Sequence, residues 1–208
     1  EKFNGELKHL RVWDTVRTQE QINLSIKKNY NIGLSMYEEK NAINSSNIVL
    51  DLKSYNSGYN KTRKLYYENL TYFNLDATSY VYDSDNKLNS LSFNGTNQYI
   101  EIPANIAPQL AGSDFTIEFW LKQFPLLSPS NHPQYHRHAV IYYTGDGPGD
   151  TIYITYKRLN NYGDYYIEIG FSGDNMYFNL GPTNPYENTW HHYGFTFNST
   201  TRLMKLYI

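Results

Sequence analysis

The sequence predicts an all-β protein, an antiparallel β-sandwich that carries a short strand and helix at its N-terminal end. Segments in which apolar and polar residues alternate, such as residues 151–157 and 165–169, are typical of strands with one buried face. Turn-forming residues separate such segments, as at Asn94-Gly95 and at 145–149. No long amphipathic helix pattern occurs, so the regular structure is expected to be almost entirely strand.

Composition excludes several classes of function. The chain has 208 residues, a net charge of −2 and only 18% charged residues, which argues against a nucleic-acid-binding protein with a basic face. No apolar run approaches the length that spans a bilayer, so membrane insertion is not expected. Cysteine is absent, which excludes disulfides. The 22 tyrosines are suited to half-buried strand positions and to surfaces that bind sugars or proteins.

The N-terminal unit, residues 1–28, combines an extended segment with a short helix. Thr18, followed by Glu20 and Gln21, is expected to start the helix as its N-cap. The apolar side of that helix is expected to comprise Ile22, Leu24 and Ile26, although their spacing fits a helix poorly. Uninterrupted alternation in the extended segment would place two sets of side chains on opposite faces: Leu7, His9, Arg11 and Trp13 on one, and Lys8, Leu10 and Val12 on the other.

Residues 29–47 are polar and weakly patterned, and we interpret them as a connector. The compact apolar run at 48–52 predicts the first strand of a main domain that continues to residue 208. A stretch rich in Asn, Ser and Gly follows and predicts a loop, and the remaining strands come at short spacing.

Five segments carry a resemblance to the laminin-G-like, or concanavalin-A-like, jelly-roll family. Residues 3–14 (FNGELKHLRVWD) resemble the strand that closes such a domain, and residues 91–103 (LSFNGTNQYIEIP) resemble an early strand pair. Residues 115–122 (FTIEFWLK) resemble a central strand. Residues 189–197 (TWHHYGFTF) and 203–208 (LMKLYI) resemble two late strands. The order of these segments makes the resemblance informative, although each motif is degenerate.

The resemblance implies an antiparallel jelly-roll sandwich divided into three parts. Residues 1–28 would be the closing strand and short helix of a laminin-G-like domain, 29–47 the connector, and 48–208 a C-terminally incomplete jelly-roll domain. A closing strand at the front indicates tandem or permuted copies, and the chain is expected to be a fragment or a processed product. Seven residues are predicted in the sandwich core: Phe93, Ile117, Phe119, Trp120, Trp190, Phe195 and Leu206.

Two arrangements are possible for residues 3–13. The segment either pairs within a sandwich formed here, with the late strands of its own chain or of a neighbouring copy, or belongs to a preceding repeat. In the first case Trp13 packs against residues 189–208, because an unclosed sandwich would expose an open edge.

The family is mostly used for binding, so the leading functional hypothesis is a non-catalytic recognition module for glycan or protein. It would belong to a larger protein displayed outside the cell, on the cell surface or on a virion, where it contacts other copies or neighbouring domains of that protein. The first alternative is a structural spacer or packing domain of a fibre, capsid or adhesin. The second alternative is a glycoside hydrolase, which needs two facing carboxylates; Asp164 and Glu168 are the nearest match.

Two kinds of binding site are predicted. Tyrosine pairs on strands place one ring on each face, so that one ring of each pair could stack on a sugar; the candidates are Tyr142, Tyr143, Tyr165 and Tyr166. No cofactor is expected except for calcium. The resemblance implies a calcium site at the sandwich rim, and the candidate ligands lie in predicted turns: Asp146, Asp150 and Asp174. These aspartates could equally serve turn geometry alone.

Overall fold

The computed structural model describes residues 3–29, 48–52, 71–76, 79–83, 88–101, 113–125, 135–144, 151–159, 164–171 and 174–208. Within these ranges the chain forms thirteen strands and one helix. In chain order they are β1 (Asn4–Trp13), α1 (Gln19–Asn29), β2 (Ile48–Leu52), β3 (Thr71–Phe73), β4 (Tyr80–Asp83), β5 (Leu88–Asn94), β6 (Tyr99–Glu101), β7 (Phe115–Gln123), β8 (Tyr135–Thr144), β9 (Thr151–Leu159), β10 (Tyr165–Phe171), β11 (Asp174–Gly181), β12 (Trp190–Asn198) and β13 (Leu203–Tyr207).

The strands form two principal antiparallel sheets. A seven-stranded sheet has the order β13-β12-β7-β1-β5-β4, and β2 pairs with β1 as its seventh strand. A four-stranded sheet has the order β11-β10-β9-β8. A small two-stranded sheet joins β3 to β6. The predicted antiparallel all-β architecture is confirmed, and the described part of the chain contains no helix long and apolar enough to cross a membrane.

The hydrophobic core lies between the two principal sheets. Alternate residues of β7, namely Phe115, Ile117, Phe119 and Leu121, face inward from the seven-stranded sheet. From the four-stranded sheet, alternate residues of β9 and β10 meet them. These inward residues are Ile152, Ile154, Tyr156, Ile167 and Ile169. One continuous apolar cluster therefore joins the two sheets into a sandwich.

Strand β1 lies inside the seven-stranded sheet. One of its edges pairs with β7, and its other edge pairs first with β5 and then with β2. The pairing of this segment within the chain's own sandwich is thus confirmed, but its neighbours differ from those predicted, because β7 separates β1 from the late strand β12. Trp13 is 2% exposed and stands opposite Thr116. The division of the chain at residues 28 and 48 stays a prediction.

A β-bulge at His9 corrects the predicted alternation of β1. Lys8 pairs with Trp120 and Arg11 pairs with Glu118, so that three steps along β1 match two steps along β7. His9 adopts a φ of 52° at this point and supplies the extra residue of the bulge. The extra residue reverses the faces beyond it. The core side consequently carries Leu7, Leu10 and Val12, while the outer side carries Glu6, Lys8, Arg11 and Trp13.

Helix α1 has a reciprocal cap at its N-terminus, as predicted for Thr18. The Gln21 amide N–H donates to Thr18 Oγ1 at 3.3 Å, and the Thr18 N–H donates to Gln21 Oε1 at 2.8 Å. Ile22 is fully buried as predicted, but the other fully buried residue of the helix is Ser25, three positions on, while Leu24 and Ile26 are half-buried. Gly194 of β12 makes room for Ile22, since a Cβ there would lie 3.3 Å from its side chain. Helix α1 therefore covers the outer face of the seven-stranded sheet.

The two predicted core tryptophans lie outside the sandwich core. Trp120 is buried, but it lies on the outer side of β7, with the edge of its ring against His192. Trp190 is half-buried on the same side, under the Lys8 ammonium. The other predicted core residues are confirmed: Phe93, Ile117, Phe119 and Phe195 belong to the core cluster, and Leu206 packs against it.

Candidate functional site

The outer face of the four-stranded sheet presents an ordered polar and aromatic surface. Because Ile152, Ile154 and Tyr156 face the core, the alternate residues of β9 face outward, and the register extends each outward position across β10 and β11. Three cross-strand rows result: Tyr153–Gly170–Asn175, Thr155–Glu168–Tyr177 and Lys157–Tyr166–Asn179. We call these nine residues the Tyr–Asn face. It spans roughly 13 Å along the strands and about 10 Å across them.

Glu168 is the centre of this face and is only 4% exposed. Lys157 Nζ lies 3.0 Å from its Oε2 atom, and Thr155 Oγ1 donates to the same oxygen at 3.3 Å. The Tyr153 hydroxyl lies 3.3 Å from the other carboxylate oxygen. The negative charge of Glu168 is therefore satisfied by neighbours within the sheet, as a buried carboxylate requires.

Tyr153 lies flat on the sheet because position 170 has no side chain. A Cβ at Gly170 would come within 2.1 Å of the Tyr153 ring, so any larger residue would displace the tyrosine. The Tyr153 hydroxyl is also 3.0 Å from Asn175 Oδ1 and thereby connects β9 to β11. The ring of Tyr153 therefore has a fixed position on the sheet, and its hydroxyl is hydrogen-bonded.

Strand β11 carries the exposed groups of the face. Tyr177 is 52% exposed, and Lys157 Nζ lies 4.5 Å from the centroid of its ring. Asn175 and Asn179 are exposed on either side of Tyr177 along the strand. The side-chain amide of Asn179 donates to Asp164 Oδ2 at 3.0 Å and lies 3.4 Å from the Tyr166 hydroxyl. The strand therefore presents one ring flanked by two amides to solvent.

Of the four tyrosines predicted as ligand-binding residues, Tyr165 and Tyr166 are described with their side chains. Tyr166 belongs to the Tyr–Asn face, while its neighbour Tyr165 lies on the opposite side of β10. Both are half-buried. Tyr142 is the register partner of Tyr153, and Tyr143 is that of Ile152. The side chains of Tyr142 and Tyr143 lie outside the described part of the structure.

Sequence reasoning missed Tyr153, Asn175, Tyr177 and Asn179. Apolar and polar residues alternate in residues 174–180, and this pattern predicts a strand whose apolar side chains, including Phe178 and Leu180, face the core. The segment was instead interpreted as beginning in a turn.

The backbone of one of the three predicted calcium ligands lies within the described residues. Asp174 is the first residue of β11 and pairs with Phe171, so it borders the connection between β10 and β11. Its side chain, together with Asp146 and Asp150, lies outside the described residues. Within the described ranges, no three His, Asp or Glu side chains come together as metal ligands. Calcium at the rim stays a prediction.

The two carboxylates considered for glycoside hydrolysis have separate surroundings. Asp164 precedes β10 and accepts from Asn179, whereas Glu168 is buried against Lys157 and Thr155. An acid and base pair would have to face the same sugar bond. The hydrogen bonds instead assign each carboxylate to a different local network.

A second polar cluster lies beneath α1, on the outer face of the seven-stranded sheet. The Arg17 guanidinium donates to Glu118 Oε1, to Ser25 Oγ at 2.8 Å and to the Gln21 carbonyl at 2.7 Å. Burial lowers the pKa of Arg17, and the charge of Glu118 opposes that shift. His192 Nε2 lies 3.5 Å from Glu118 Oε2. These groups are almost completely enclosed, so they attach the helix to the sheet rather than meet a ligand.

The two adjacent histidines of β12 point in opposite directions. His192 faces the cluster beneath α1, and His191 lies on the other side of β12 with its ring 4.7 Å from that of Tyr186. Burial lowers the pKa of His191, which favours its neutral form. The side chains of both histidines therefore pack against neighbouring aromatic rings.

Comparison with known proteins gives one match. No curated protein and no solved structure matches the chain. The laminin G family model described as the concanavalin A-like lectin/glucanases superfamily matches residues 94–208, which is more than half of the sequence. The matched segment begins at the end of β5 and contains β6 to β13, including all nine residues of the Tyr–Asn face. The antiparallel sandwich agrees with this assignment, and the chain belongs to the concanavalin A-like lectin/glucanase superfamily.

Proposed function

We propose that the chain is a non-catalytic recognition module that binds a glycan on the Tyr–Asn face. The observation that carries the proposal is the exposed ring of Tyr177 between the exposed amides of Asn175 and Asn179. An aromatic ring offers an apolar surface with polar edges. Each amide oxygen accepts one hydrogen bond within the face, from Tyr153 or from the Gly181 N–H, and keeps a second lone pair for a ligand. A sugar ring requires this combination, because it has an apolar face and a rim of hydroxyl groups.

The charges of the face favour a neutral glycan. Lys157 and Glu168 neutralise each other at 3.0 Å, and Asp164 accepts from Asn179. The groups left for a ligand are therefore mainly hydroxyls, amides and rings. The fixed positions of Tyr153 over Gly170 and of Lys157 beside Tyr177 support the proposal further, because a surface held in place loses little conformational entropy on binding.

The same hydrogen bonds argue against hydrolysis on this face. Glu168 is enclosed by three neighbouring side chains, which leaves it poorly placed to reach a glycosidic oxygen. The family's usual role in binding supports the same conclusion. Release of reducing sugar ends from a polysaccharide panel, abolished by Glu168→Gln, would contradict the non-catalytic part of the proposal.

A glycan array probed with the purified chain tests the binding part. We expect a subset of neutral glycans to bind. Tyr177→Ala and Asn179→Ala should each weaken that binding roughly fivefold, because a ring contact or a hydrogen bond contributes about 1 kcal/mol and a tenfold change requires about 1.4 kcal/mol. Tyr99→Ala is the matched control, since Tyr99 is a similarly exposed tyrosine on β6, outside this face.

Two results would overturn the proposal. If no glycan binds, a structural spacer becomes the better hypothesis. If glycans bind but Tyr177→Ala and Tyr99→Ala behave alike, the site lies elsewhere. Circular dichroism of each variant shows that the fold is retained.

The proposal includes display outside the cell, on the cell surface or on a virion, because a glycan-binding module acts where glycans are exposed. It also includes contact with neighbouring domains or copies of the same parent protein. Immunofluorescence on intact, unpermeabilised particles or cells would test the display.

A further inference from the structure

A groove lies on the other side of the molecule from the Tyr–Asn face. Its floor is formed by the outer side of β12 and β13, and its wall by the chain that enters α1. We call it the α1–β13 groove, and its volume is about 380 Å³. This volume is near the lower end of the range for small-molecule sites. The described residues that line it are Val16, Arg17, Thr18, Gln19, Thr196, Asn198, Thr201, Leu203, Lys205 and Tyr207.

Thr196 is the unusual residue of this groove. The residue is only 3% exposed, and its hydroxyl makes no hydrogen bond with a described residue but keeps some accessible surface. Such a hydroxyl is available to a ligand, whereas most hydroxyls inside a protein are already hydrogen-bonded. On β12, Thr196 pairs through its backbone with Lys205 of β13, and both side chains line the groove. The floor therefore carries a hydroxyl and, on the neighbouring strand, a lysine.

The electrostatics of the groove favour an anion. Lys205 is exposed and makes no ion pair with any described residue. The N-terminus of α1, an eleven-residue helix, forms the wall at Thr18 and Gln19, and helix N-termini favour negative charge. None of the described lining residues is acidic. Arg17 also lines the groove, but its guanidinium is engaged by Glu118 and contributes less.

We propose that the α1–β13 groove binds a carboxylated sugar residue. The carboxylate would lie between Lys205 and the first turn of α1, and a sugar hydroxyl would satisfy Thr196. A saccharide is favoured over a peptide side chain because the groove also carries the Thr196 hydroxyl and the amide nitrogen of Asn198, neither of which bonds to a described residue. The hydroxyls of Thr18 and Thr201 already serve the cap of α1 and the turn between β12 and β13. The apolar side of the sugar ring would rest on Val16 and Leu203.

This site is independent of the proposed function. The Tyr–Asn face belongs to the four-stranded sheet, and the groove belongs to the seven-stranded sheet and α1. Tyr177→Ala should therefore leave binding in the groove unchanged, so that either site can fail without the other.

Calorimetry and amide chemical-shift perturbation with glucuronate test the proposal, with glucose and acetate as comparison ligands. We expect glucuronate to bind and both comparison ligands to bind at least tenfold more weakly. Lys205→Gln should raise the glucuronate Kd about tenfold, and Thr196→Val should raise it several-fold. Shifts should concentrate at Thr18, Gln19, Thr196 and Lys205. Arg202→Gln is the matched control, because it removes a nearby exposed cation that does not line the groove.

Four outcomes would overturn the proposal. If acetate binds as tightly as glucuronate, the groove holds an adventitious ion only. If glucose binds as tightly as glucuronate, the carboxylate does not contribute to binding. An equal loss in Arg202→Gln would indicate unspecific charge attraction. Tighter binding of a short acetylated glutamate peptide would assign the groove to a protein partner. If Thr196→Val fails to fold, Lys205→Gln still decides, because Lys205 is exposed.

Discussion

At the scale of single residues, Glu118 shows how a polar side chain inside this fold is held. It is 1% exposed, between Arg17 on one side and His192 on the other. A buried carboxylate is tolerated only when it is paired and hydrogen-bonded. In the sequence it stands alone between Ile117 and Phe119, and its partner Arg17 is 101 positions away. Glu118 therefore joins the segment before α1 to the middle of the sheet.

Removing Glu118 should strongly destabilise the protein. We expect Glu118→Ala to lower the free energy of unfolding by about 3–5 kcal/mol, because Arg17 would remain as a buried charge without its carboxylate. Urea denaturation followed by tryptophan fluorescence measures this loss. Glu20→Gln, on the exposed first turn of α1, is the control and should change stability by less than about 0.5 kcal/mol. A similar small effect for Glu118→Ala would show that the ion pair does not hold the helix.

At the scale of elements, the bulge in β1 decides which residues reach the core. His9 takes the extra position, with a φ of 52°. Without it, Leu10 and Val12 would turn away from the core cluster, and Arg11 would turn toward it, because side chains alternate along a strand. The bulge thus allows one strand to pair with β7 along its length and still bury its apolar residues.

Substitutions at His9 should separate the bulge geometry from side-chain chemistry. We expect His9→Val to be about 1–2 kcal/mol less stable than His9→Gly, because a β-branched residue is strained at positive φ and glycine is not. Thermal unfolding of the two variants measures the difference. Equal stability of the two would mean that position 9 does not require the left-handed conformation.

At the scale of the whole molecule, two buried tyrosines join the sheets. Tyr156 of β9 and Tyr193 of β12 are hydrogen-bonded through their hydroxyls, with their rings edge to face at 6.1 Å between centroids. Burial is the main cause that raises the pKa of each phenol well above its usual value. Both phenols therefore stay protonated in the folded state at pH values where they would ionise in the unfolded chain.

This arrangement predicts a loss of stability in alkaline solution. An unfolded tyrosine ionises near pH 10. Above that pH the unfolded state releases protons that the folded state retains, so the free energy of unfolding should fall as pH rises from about 10. The double variant Tyr156→Phe and Tyr193→Phe should reduce this slope between about pH 9 and 11 relative to the unmodified chain. Equal slopes in urea midpoints would contradict the role of the buried pair.

The sequence by itself determined the features that depend on near neighbours. Alternation predicted the all-β sandwich and most of its core, including Phe93, Ile117 and Phe195. The Thr18 cap was also predictable, because both of its hydrogen bonds join residues three positions apart. The resemblance of residues 3–14 to a closing strand made pairing of that segment within the sandwich one of two open alternatives, and the structure decided between them.

Only the tertiary structure decided the features that join distant parts of the chain. One inserted residue at His9 reversed the faces of β1, which periodicity cannot reveal because it assumes an unbroken ladder. The tryptophans predicted in the core lie on the outer side because Phe119, Leu121 and Tyr193 take the alternate positions of β7 and β12 that face the core. The Tyr–Asn face and the α1–β13 groove exist only where strands and helix meet, since hydrogen bonding and packing, rather than position in the sequence, place their side chains together.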